Sequence, residues 1–357
     1  MNRTTSKLLL VQMSRAIAIF FVLVGHANSL FYARFDYNWF HIAEWERTGG
    51  VDFFFVVSGF MIVFVYHKYT GNITKSKEFL LKRLIRIFPL YWLMLLTAIF
   101  LYEMFPNVGK MQPLTAIDLF NNLFLTTRTP LLDVTWSLSY ILFFYFVFFL
   151  YLCVPRVWKF IIPTWFLLIL IAQFFYENNE VFLLSFNHIE IGFGCFVAYM
   201  TYQNLIKYEK VWLLIGLAGF LFIWCNNIYH FTQVNFMFMY SVFSMFILIG
   251  IIGMERNFSY KLPASVTLLG DASYSIYICH GPLIQLYMLI FLWMNLDDMF
   301  NLLFLMVGTI VLSTVSSMII YLTLERPMTK YLQVKLLKQT LIKNKITSKE
   351  PLLKKIE

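Results

Sequence analysis

The sequence predicts an all-α integral membrane protein with about ten transmembrane helices and both termini in the cytoplasm. Three observations lead to this fold class: the composition, a series of long apolar runs and the placement of the basic residues. Hydrophobic residues make up 60% of the 357 residues, aromatic residues 20% and charged residues only 13%. A soluble domain contains about 45–50% apolar and about 25% charged residues. The composition therefore excludes a cytosolic enzyme, a secreted disulfide scaffold, a disordered protein and a nucleic-acid-binding protein.

The apolar runs give the number of spans. A transmembrane helix needs about 20 mostly apolar residues, and several of the runs are somewhat shorter than this. The ten candidates are 9–31, 51–67, 87–105, 133–153, 160–176, 186–203, 211–226, 236–254, 273–294 and 300–323. No signal-peptide cleavage site follows the first run, so we expect this run to be retained as a transmembrane helix. A less apolar stretch, 113–128, is interpreted as an interfacial or re-entrant segment.

The basic residues support the count of ten. If the N-terminus is cytoplasmic, every Lys and Arg except Arg34, Arg47, Lys110 and Arg128 falls on the cytoplasmic side. This agrees with the positive-inside rule, and a count of nine or eleven spans breaks the alternation. We expect one membrane domain over residues 1–332. The basic tail, 333–357, is expected to lie along the anionic inner leaflet.

Ionisable residues inside a predicted span are candidates for function, because charge is costly in a bilayer. Arg15 and His26 of the first span are separated by about three helical turns, so they share a face roughly 16 Å apart along the axis. Taken singly, Arg15 fits a snorkelling interfacial cation, and His26 fits a histidine that hydrogen-bonds a neighbouring helix. Together they favour a lined cavity.

Two further groups of polar residues follow. Asp52 opens the second span, where it either caps the helix or holds the imidazole of His26 in one tautomer. Arg83 and Arg86 are neighbours on a helix face. Positive-inside charge is the simpler interpretation of this pair. The alternative is a clamp for an anionic cytosolic cofactor, since paired guanidiniums match the geometry of phosphates.

The later spans contribute the remaining polar candidates, Trp136, Ser137, Glu190, Tyr277 and His280. His280 falls near the middle of the membrane, where a lone histidine is often a hydrogen-bonding packing residue. The four cysteines lie in apolar runs without metal-ligand spacing. They are predicted to be buried hydrophobic residues, and no metal site is expected.

Read in order, these motifs resemble the integral-membrane acyltransferase type 3 family over residues 13–328. Any one of them is weak, but the ordered set is specific. The matching segments are Arg15 with His26, G-x-D-x-F-F-x-x-S-G-F at 50–60, R-x-x-R-I-x-P-x-Y at 83–91, Trp-Ser-Leu at 136–138, Glu190 with Gly192, S-Y-x-x-Y-x-x-H at 273–280 and E-x-P at 325–327. One departure is Ile141, which stands where the family usually has an acidic residue. It points to a divergent substrate or to an inactive member.

The resemblance implies ten helices and transfer of an acyl group, commonly acetyl, from cytosolic acyl-CoA. The acceptor is then a hydroxyl of a surface polysaccharide or lipid-linked saccharide. The pattern is most similar to members that acetylate exopolysaccharide and have no fused soluble domain. Acyl-CoA enters as a co-substrate, and no permanently bound cofactor is expected. The implied location is the cell membrane, as a multi-pass protein in contact with lipid and without a nucleic-acid partner.

We predict three roles for the candidate residues. Arg15, Arg83, Arg86 and Tyr91 are predicted to bind acyl-CoA. Catalytic roles are predicted for His26, Asp52 and Glu190, with His26 as general base. Contacts to the acceptor or to the developing oxyanion are predicted for Trp136, Ser137, Tyr277 and His280. His280 is also the competing candidate for the base, and direct transfer and an acyl-histidine intermediate both stay open.

Two other functional classes remain as alternatives. A transporter or flippase of an anionic lipid-linked saccharide also explains ten spans with buried Arg and His. Such transporters often show internal symmetry and interrupted helices, neither of which is visible in this sequence. A structural or assembly partner is the third possibility, if Ile141 marks lost catalysis.

Overall fold

The computed structural model describes residues 8–104, 115–127, 130–175, 181–233, 235–258 and 260–337. Over these ranges the chain is built from α-helices with short 3₁₀ turns and contains no β-strand, which confirms the all-α class. The helices are α1 (Leu9–Phe35), α2 (Gly50–Tyr66), α3 (Ile73–Met104), α4 (Ala116–Leu123), α5 (Trp136–Cys153), α6 (Pro155–Phe175), α7 (Asn187–Tyr202), α8 (Glu209–Tyr229), α9 (Phe236–Asn257), α10 (Ala264–Asp271), α11 (Ser273–Trp293) and α12 (Leu302–Ile320).

Nine helices within the described ranges are long and apolar enough to cross a membrane. They coincide with nine of the ten predicted spans. The remaining one, 186–203, is α7, which has only 16 residues. A helix of this length covers about 24 Å, whereas the hydrocarbon core of a bilayer is about 30 Å thick. The fold is that of an integral membrane protein in which α7 is a short helix packed inside the bundle.

Other boundaries differ from the predicted ones because hydropathy does not mark where a helix starts or stops. Helix α3 begins 14 residues before the apolar run at 87 and carries Arg83 and Arg86 in its first half. Helix α12 continues through a π-helical turn, Tyr321–Glu325, and remains helical to Leu337. The tail predicted at 333–357 lies outside the described residues from 338 onward.

Two short helices connect the long ones. Helix α4 falls within the stretch predicted to be interfacial, of which residues 113, 114 and 128 lie outside the described ranges. It starts with a capping box between Thr115 and Asp118, and Leu123 accepts a hydrogen bond from the indole nitrogen of Trp92 (3.0 Å). Helix α10 has only 8 residues and was not predicted, since it is too short to give an apolar run.

Helix α2 is the centre of the bundle, with α1, α5, α7 and α9 packed around it. Its contact with α7 is close enough to require glycine on both sides. A Cβ atom on Gly59 meets the backbone oxygen of Ile191 at 2.0 Å, and one on Gly194 meets the backbone oxygen of Val56 at 1.8 Å. Small residues of this kind let helices in membranes approach at backbone distance. The contact fixes α2 and α7 at one relative height.

Most of the outward-facing side chains are apolar, as expected for a surface in lipid. Helix α6 shows this most clearly, since Phe174 is 83% exposed and only Ile169 and Ala172 of this helix are buried. Buried polar residues lie instead in the interior, on α1, α2, α5, α7, α8, α9, α11 and α12 among others. This inversion places the candidate site inside the bundle.

The close contact between α2 and α7 gives a first prediction. Gly194→Ala should lower the free energy of unfolding by about 1–3 kcal/mol, the usual cost of forcing an extra group into a packed contact. Gly281→Ala is the matched control, because no atom lies within 4 Å of its added Cβ and alanine favours a helix by up to about 1 kcal/mol. Denaturant titration in detergent micelles measures both changes. Equal stability of the two variants would show that the α2–α7 contact can relax without cost.

Candidate active site

All three arginines that are predicted to bind acyl-CoA line one cavity of about 130 Å³ inside the bundle. We call it the arginine cavity, and it contains Arg15 of α1 together with Arg83 and Arg86 of α3. Much of its remaining wall consists of apolar side chains from α2 and α5, among them Ile141. A cavity with this composition suits a ligand that has an anionic end and an apolar end.

The arginines of this cavity are positioned by different contacts. The guanidinium of Arg83 lies over the rings of Tyr66 and Tyr145, at 5.2 and 5.7 Å from the ring centroids. The Nη2 atom of Arg15 donates a hydrogen bond to Oγ of Ser273. Within the described part of the chain, no ion pair with a carboxylate engages any of these arginines. Their charge therefore remains available to an anion.

A second cavity, of about 210 Å³, is lined by His26, Arg47, Asp52 and Trp136. We call it the histidine cavity. It lies between α1, the starts of α2 and α5, and the loop that joins α1 to α2. Val51 lines both cavities. The consecutive residues Trp136 and Ser137 of α5 line one cavity each, Trp136 the histidine cavity and Ser137 the arginine cavity. The two cavities therefore adjoin each other, and Val51, Trp136 and Ser137 form the layer at which they meet.

The carboxylate of Asp52 contacts an arginine rather than a histidine. Its Oδ1 atom accepts a hydrogen bond from Nη1 of Arg47 at 2.9 Å. The described residues show no hydrogen bond between Asp52 and His26, and Asp52 does not cap its helix either. The prediction that Asp52 holds the ring of His26 is therefore wrong in this structure. A charged guanidinium attracts a buried carboxylate more strongly than a neutral imidazole does.

Arg47 also lies near Glu190, the other carboxylate predicted to be catalytic. Its Nη1 atom is 3.8 Å from Oε1 of Glu190, and this Oε1 accepts a hydrogen bond from Ser241 of α9 at 2.9 Å. Both carboxylates are fully buried. Burial alone favours the neutral form of Arg47, but the adjacent carboxylates of Asp52 and Glu190 raise its pKa above the usual value. Glu190 is not among the residues that line either cavity.

The Arg47 cluster, which we define as Arg47, Asp52 and Glu190, extends to the wall of the histidine cavity. The guanidinium of Arg47 lies 5.8 Å from the centroid of the Trp136 ring, a cation–π distance. Arg47 therefore connects the loop before α2 to α2, α5 and α7. From the sequence alone, Arg47 is predicted only as one of the basic residues outside the cytoplasm. The signal for its role is a loop arginine five positions before a buried aspartate.

The hydroxyl groups of Ser137 and Tyr277 are already engaged with each other. The hydroxyl of Tyr277 lies 2.6 Å from the backbone oxygen of Val134, which can only accept, so the Tyr277 proton is used there. The Ser137 hydroxyl, 2.6 Å from that of Tyr277, is then the donor of this pair. Neither proton is available for an oxyanion unless a bond breaks. The indole nitrogen of Trp136 has no such bond to a described residue.

The structure places the remaining candidates as follows. His280 is fully buried, and its ring centroid is 5.1 Å from that of His26. Tyr91 is also fully buried and donates its hydroxyl proton to the backbone oxygen of Asn122. It is not among the residues that line the arginine cavity. The structure thus brings His26 and His280 together. It leaves Tyr91 out of the lining of the cavity that contains the arginines with which it was grouped.

Comparison with known proteins identifies the family. The family model described as an acyltransferase domain, acyltransferase type 3, matches residues 11–322. The chain belongs to this family. This acyltransferase is also 28% identical over 265 residues to the exopolysaccharide production protein ExoZ of Rhizobium meliloti (strain 1021). The aligned region covers 68% of this chain and 80% of ExoZ. No solved structure matches the acyltransferase significantly. Family membership favours an enzyme over the transporter and the assembly partner.

The Arg47 cluster gives a second prediction. Arg47→Met should destabilise the acyltransferase by about 3–5 kcal/mol, because it leaves two buried carboxylates without their cation. The control is Glu78→Gln, which removes an ion pair with Lys75 and Lys82 at the surface and should cost about 1 kcal/mol or less. Denaturant titration in micelles measures both. The double variant Arg47→Met with Asp52→Asn should lose less stability than Arg47→Met alone. If Arg47→Met is as stable as the parent, the cluster does not hold the loop.

Proposed function

We propose that this acyltransferase moves an acetyl group from cytosolic acetyl-CoA to a hydroxyl of a surface polysaccharide or lipid-linked saccharide. The observation that carries the proposal is the pair of cavities that share Val51. One presents arginines and the other presents an imidazole, so a donor and an acceptor can approach the same layer from opposite sides. The similarity to an exopolysaccharide production protein supports a saccharide as the acceptor.

The arginine cavity is the proposed donor site. Coenzyme A carries phosphates at one end and a thioester at the other. Guanidiniums bind phosphates through forked, charge-assisted hydrogen bonds, and Arg15, Arg83 and Arg86 offer three of them beside an apolar wall. The thioester then points toward Ser137 and Tyr277, and Ile141 adds to the apolar surface along its path.

The histidine cavity is the proposed acceptor site. A sugar hydroxyl attacks a thioester poorly unless a base removes its proton, and an imidazole serves this purpose near neutral pH. His26 takes this proton while the hydroxyl oxygen bonds to the carbonyl carbon. The carbon–sulfur bond then breaks, and the thiolate of coenzyme A recovers the proton from His26. The indole N–H of Trp136, which lines this cavity, donates to the oxyanion that forms between these steps.

The orientation of the protein completes the proposal. The positive-inside distribution of Lys and Arg favours cytoplasmic termini, and the arginine cavity then opens toward the cytosol, where acyl-CoA is made. The histidine cavity faces the other side of the cell membrane. The enzyme thus uses a cytosolic donor for a surface saccharide.

The direct test is transfer by the purified enzyme in micelles. The enzyme is incubated with acetyl-CoA labelled in the acetyl group and with exopolysaccharide or lipid-linked saccharide from the same cells. Mass spectrometry should find labelled O-acetyl esters in the saccharide and an equal amount of free coenzyme A. If neither saccharide acquires the label while another acceptor does, the proposed acceptor class is wrong. If no acceptor acquires it, the proposed donor is wrong.

A third prediction concerns the donor site. Arg86→Ala should raise the KM for acetyl-CoA about tenfold or more, since one charge-assisted hydrogen bond contributes roughly 1.5–3 kcal/mol. The KM for the acceptor should not change. The control is Lys82→Ala, which removes one positive charge from the same helix but pairs with Glu78 and lies outside the cavity lining. Equal effects of the two variants on the KM for acetyl-CoA would argue against the arginine cavity as the donor site.

A fourth prediction concerns the base. His26→Gln should lower kcat by about 10²–10⁴-fold, the usual contribution of a general base, because an amide keeps a hydrogen bond but cannot take a proton. Expression and membrane insertion should stay as in the parent. His41→Gln is the control, since His41 is exposed and its polar contact among the described residues is with Glu44 at the surface. Near-parental turnover by His26→Gln would exclude His26 as the base.

A further inference from the structure

In the fully buried imidazole of His280, Nδ1 has two hydrogen-bond contacts, whereas Nε2 has no hydrogen-bond partner within the described ranges. Its Nδ1 atom lies 3.1 Å from the backbone oxygen of Ile276 and 2.8 Å from that of Tyr277. Carbonyl oxygens only accept hydrogen bonds, so Nδ1 must carry the proton. In the neutral form of the ring, Nε2 then has a free lone pair and can only accept. The tautomer of His280 is thus set by the backbone of its own helix.

The Nε2 atom of His280 is buried and has no hydrogen-bond partner among the described residues. Buried acceptors are rarely left in this state. The nearest titratable ring is that of His26, whose centroid is 5.1 Å away. This separation leaves room for an N–H···N hydrogen bond of ordinary length once the His26 ring turns a nitrogen toward Nε2.

We propose that His280 is a positioning residue that accepts a hydrogen bond from the His26 ring through Nε2 and so fixes which His26 nitrogen is left to act as the base. This role rests on the proposed function of His26. An imidazole base needs a partner on its second nitrogen, which sets its tautomer and its orientation. Asp52 does not supply this partner, since its Oδ1 accepts from Arg47 and no hydrogen bond joins Asp52 to His26 among the described residues.

The surroundings of His280 suit a fixed acceptor rather than a second base. The backbone oxygen of His280 faces Oγ of Ser313 in α12 at 3.5 Å, and the ring contacts Tyr277 at a centroid distance of 6.0 Å. His280 does not line either of the two cavities. Substrate therefore meets His26, and His280 acts only through it.

Two substitutions separate the two nitrogens of His280. His280→Gln places an amide near the former Nε2 and can still accept from His26. His280→Asn places its amide near the former Nδ1, keeps a donor to the backbone oxygens and loses the acceptor. We expect His280→Asn to lower kcat by about 10–100-fold, the range known for partners that orient metal-bound imidazoles. His280→Gln should keep most of the parental kcat, and the KM for acetyl-CoA should not change in either variant.

The reactivity of His26 is a second readout that does not depend on turnover. Diethyl pyrocarbonate modifies the unprotonated nitrogen of an imidazole, and mass spectrometry gives the rate of modification of His26. This rate should fall in His280→Asn and be restored in His280→Gln. Equal rates and equal kcat values in the two variants, with the parent active, would overturn the positioning role. If His26 of the parent is modified at the normal rate but the parent transfers no acetyl group, the proposed function is overturned. The rates of modification of His26 in the two variants then decide the role of His280.

Discussion

The backbone contact between α2 and α7 is the constraint on which the site depends. Glycines at 59 and 194 let the two helices approach so closely that a single methyl group cannot be added. Asp52 and Glu190, which belong to the first turns of these helices, consequently lie beside each other and share Arg47. Arg47 in turn holds the preceding loop and faces Trp136. A packing contact in the apolar part of the bundle thus determines the shape of a polar cavity at its end.

Under the proposed function, the two cavities let one layer of side chains serve two chemically different substrates. A phosphate-bearing thioester and a polar saccharide do not share a solvation environment, so a single open cleft would expose the thioester to water. Here the arginines and the imidazole line separate cavities, and Val51, Trp136 and Ser137 lie at the boundary between them. Reaction then requires contact across this layer only, and hydrolysis by water is limited because each side is filled by its own substrate.

Hydropathy was enough to locate nine long helices and the short α7. A segment in lipid must satisfy its backbone N–H and C=O groups internally, so a long apolar run forms a helix. It did not locate the start of α3 or the eight-residue α10, since charged and short helices have no apolar signature. The cost of charge in a bilayer correctly drew attention to Arg15, His26, Asp52, Glu190 and His280 as inward-facing residues. It did not give their partners. The pairing of Asp52 with Arg47 depends on how a loop folds back over two helix ends, which neither hydropathy nor the positive-inside count reports.

The most direct test of transfer between opposite sides uses sealed vesicles in which the enzyme has one known orientation. Labelled acetyl-CoA is supplied on the side of the arginine cavity, and the saccharide acceptor is enclosed on the side of the histidine cavity. Two-sided transfer predicts labelled O-acetyl esters on the enclosed saccharide and free coenzyme A on the side of supply. If ester forms only when both substrates are on the same side, the two cavities do not serve as separate donor and acceptor sites.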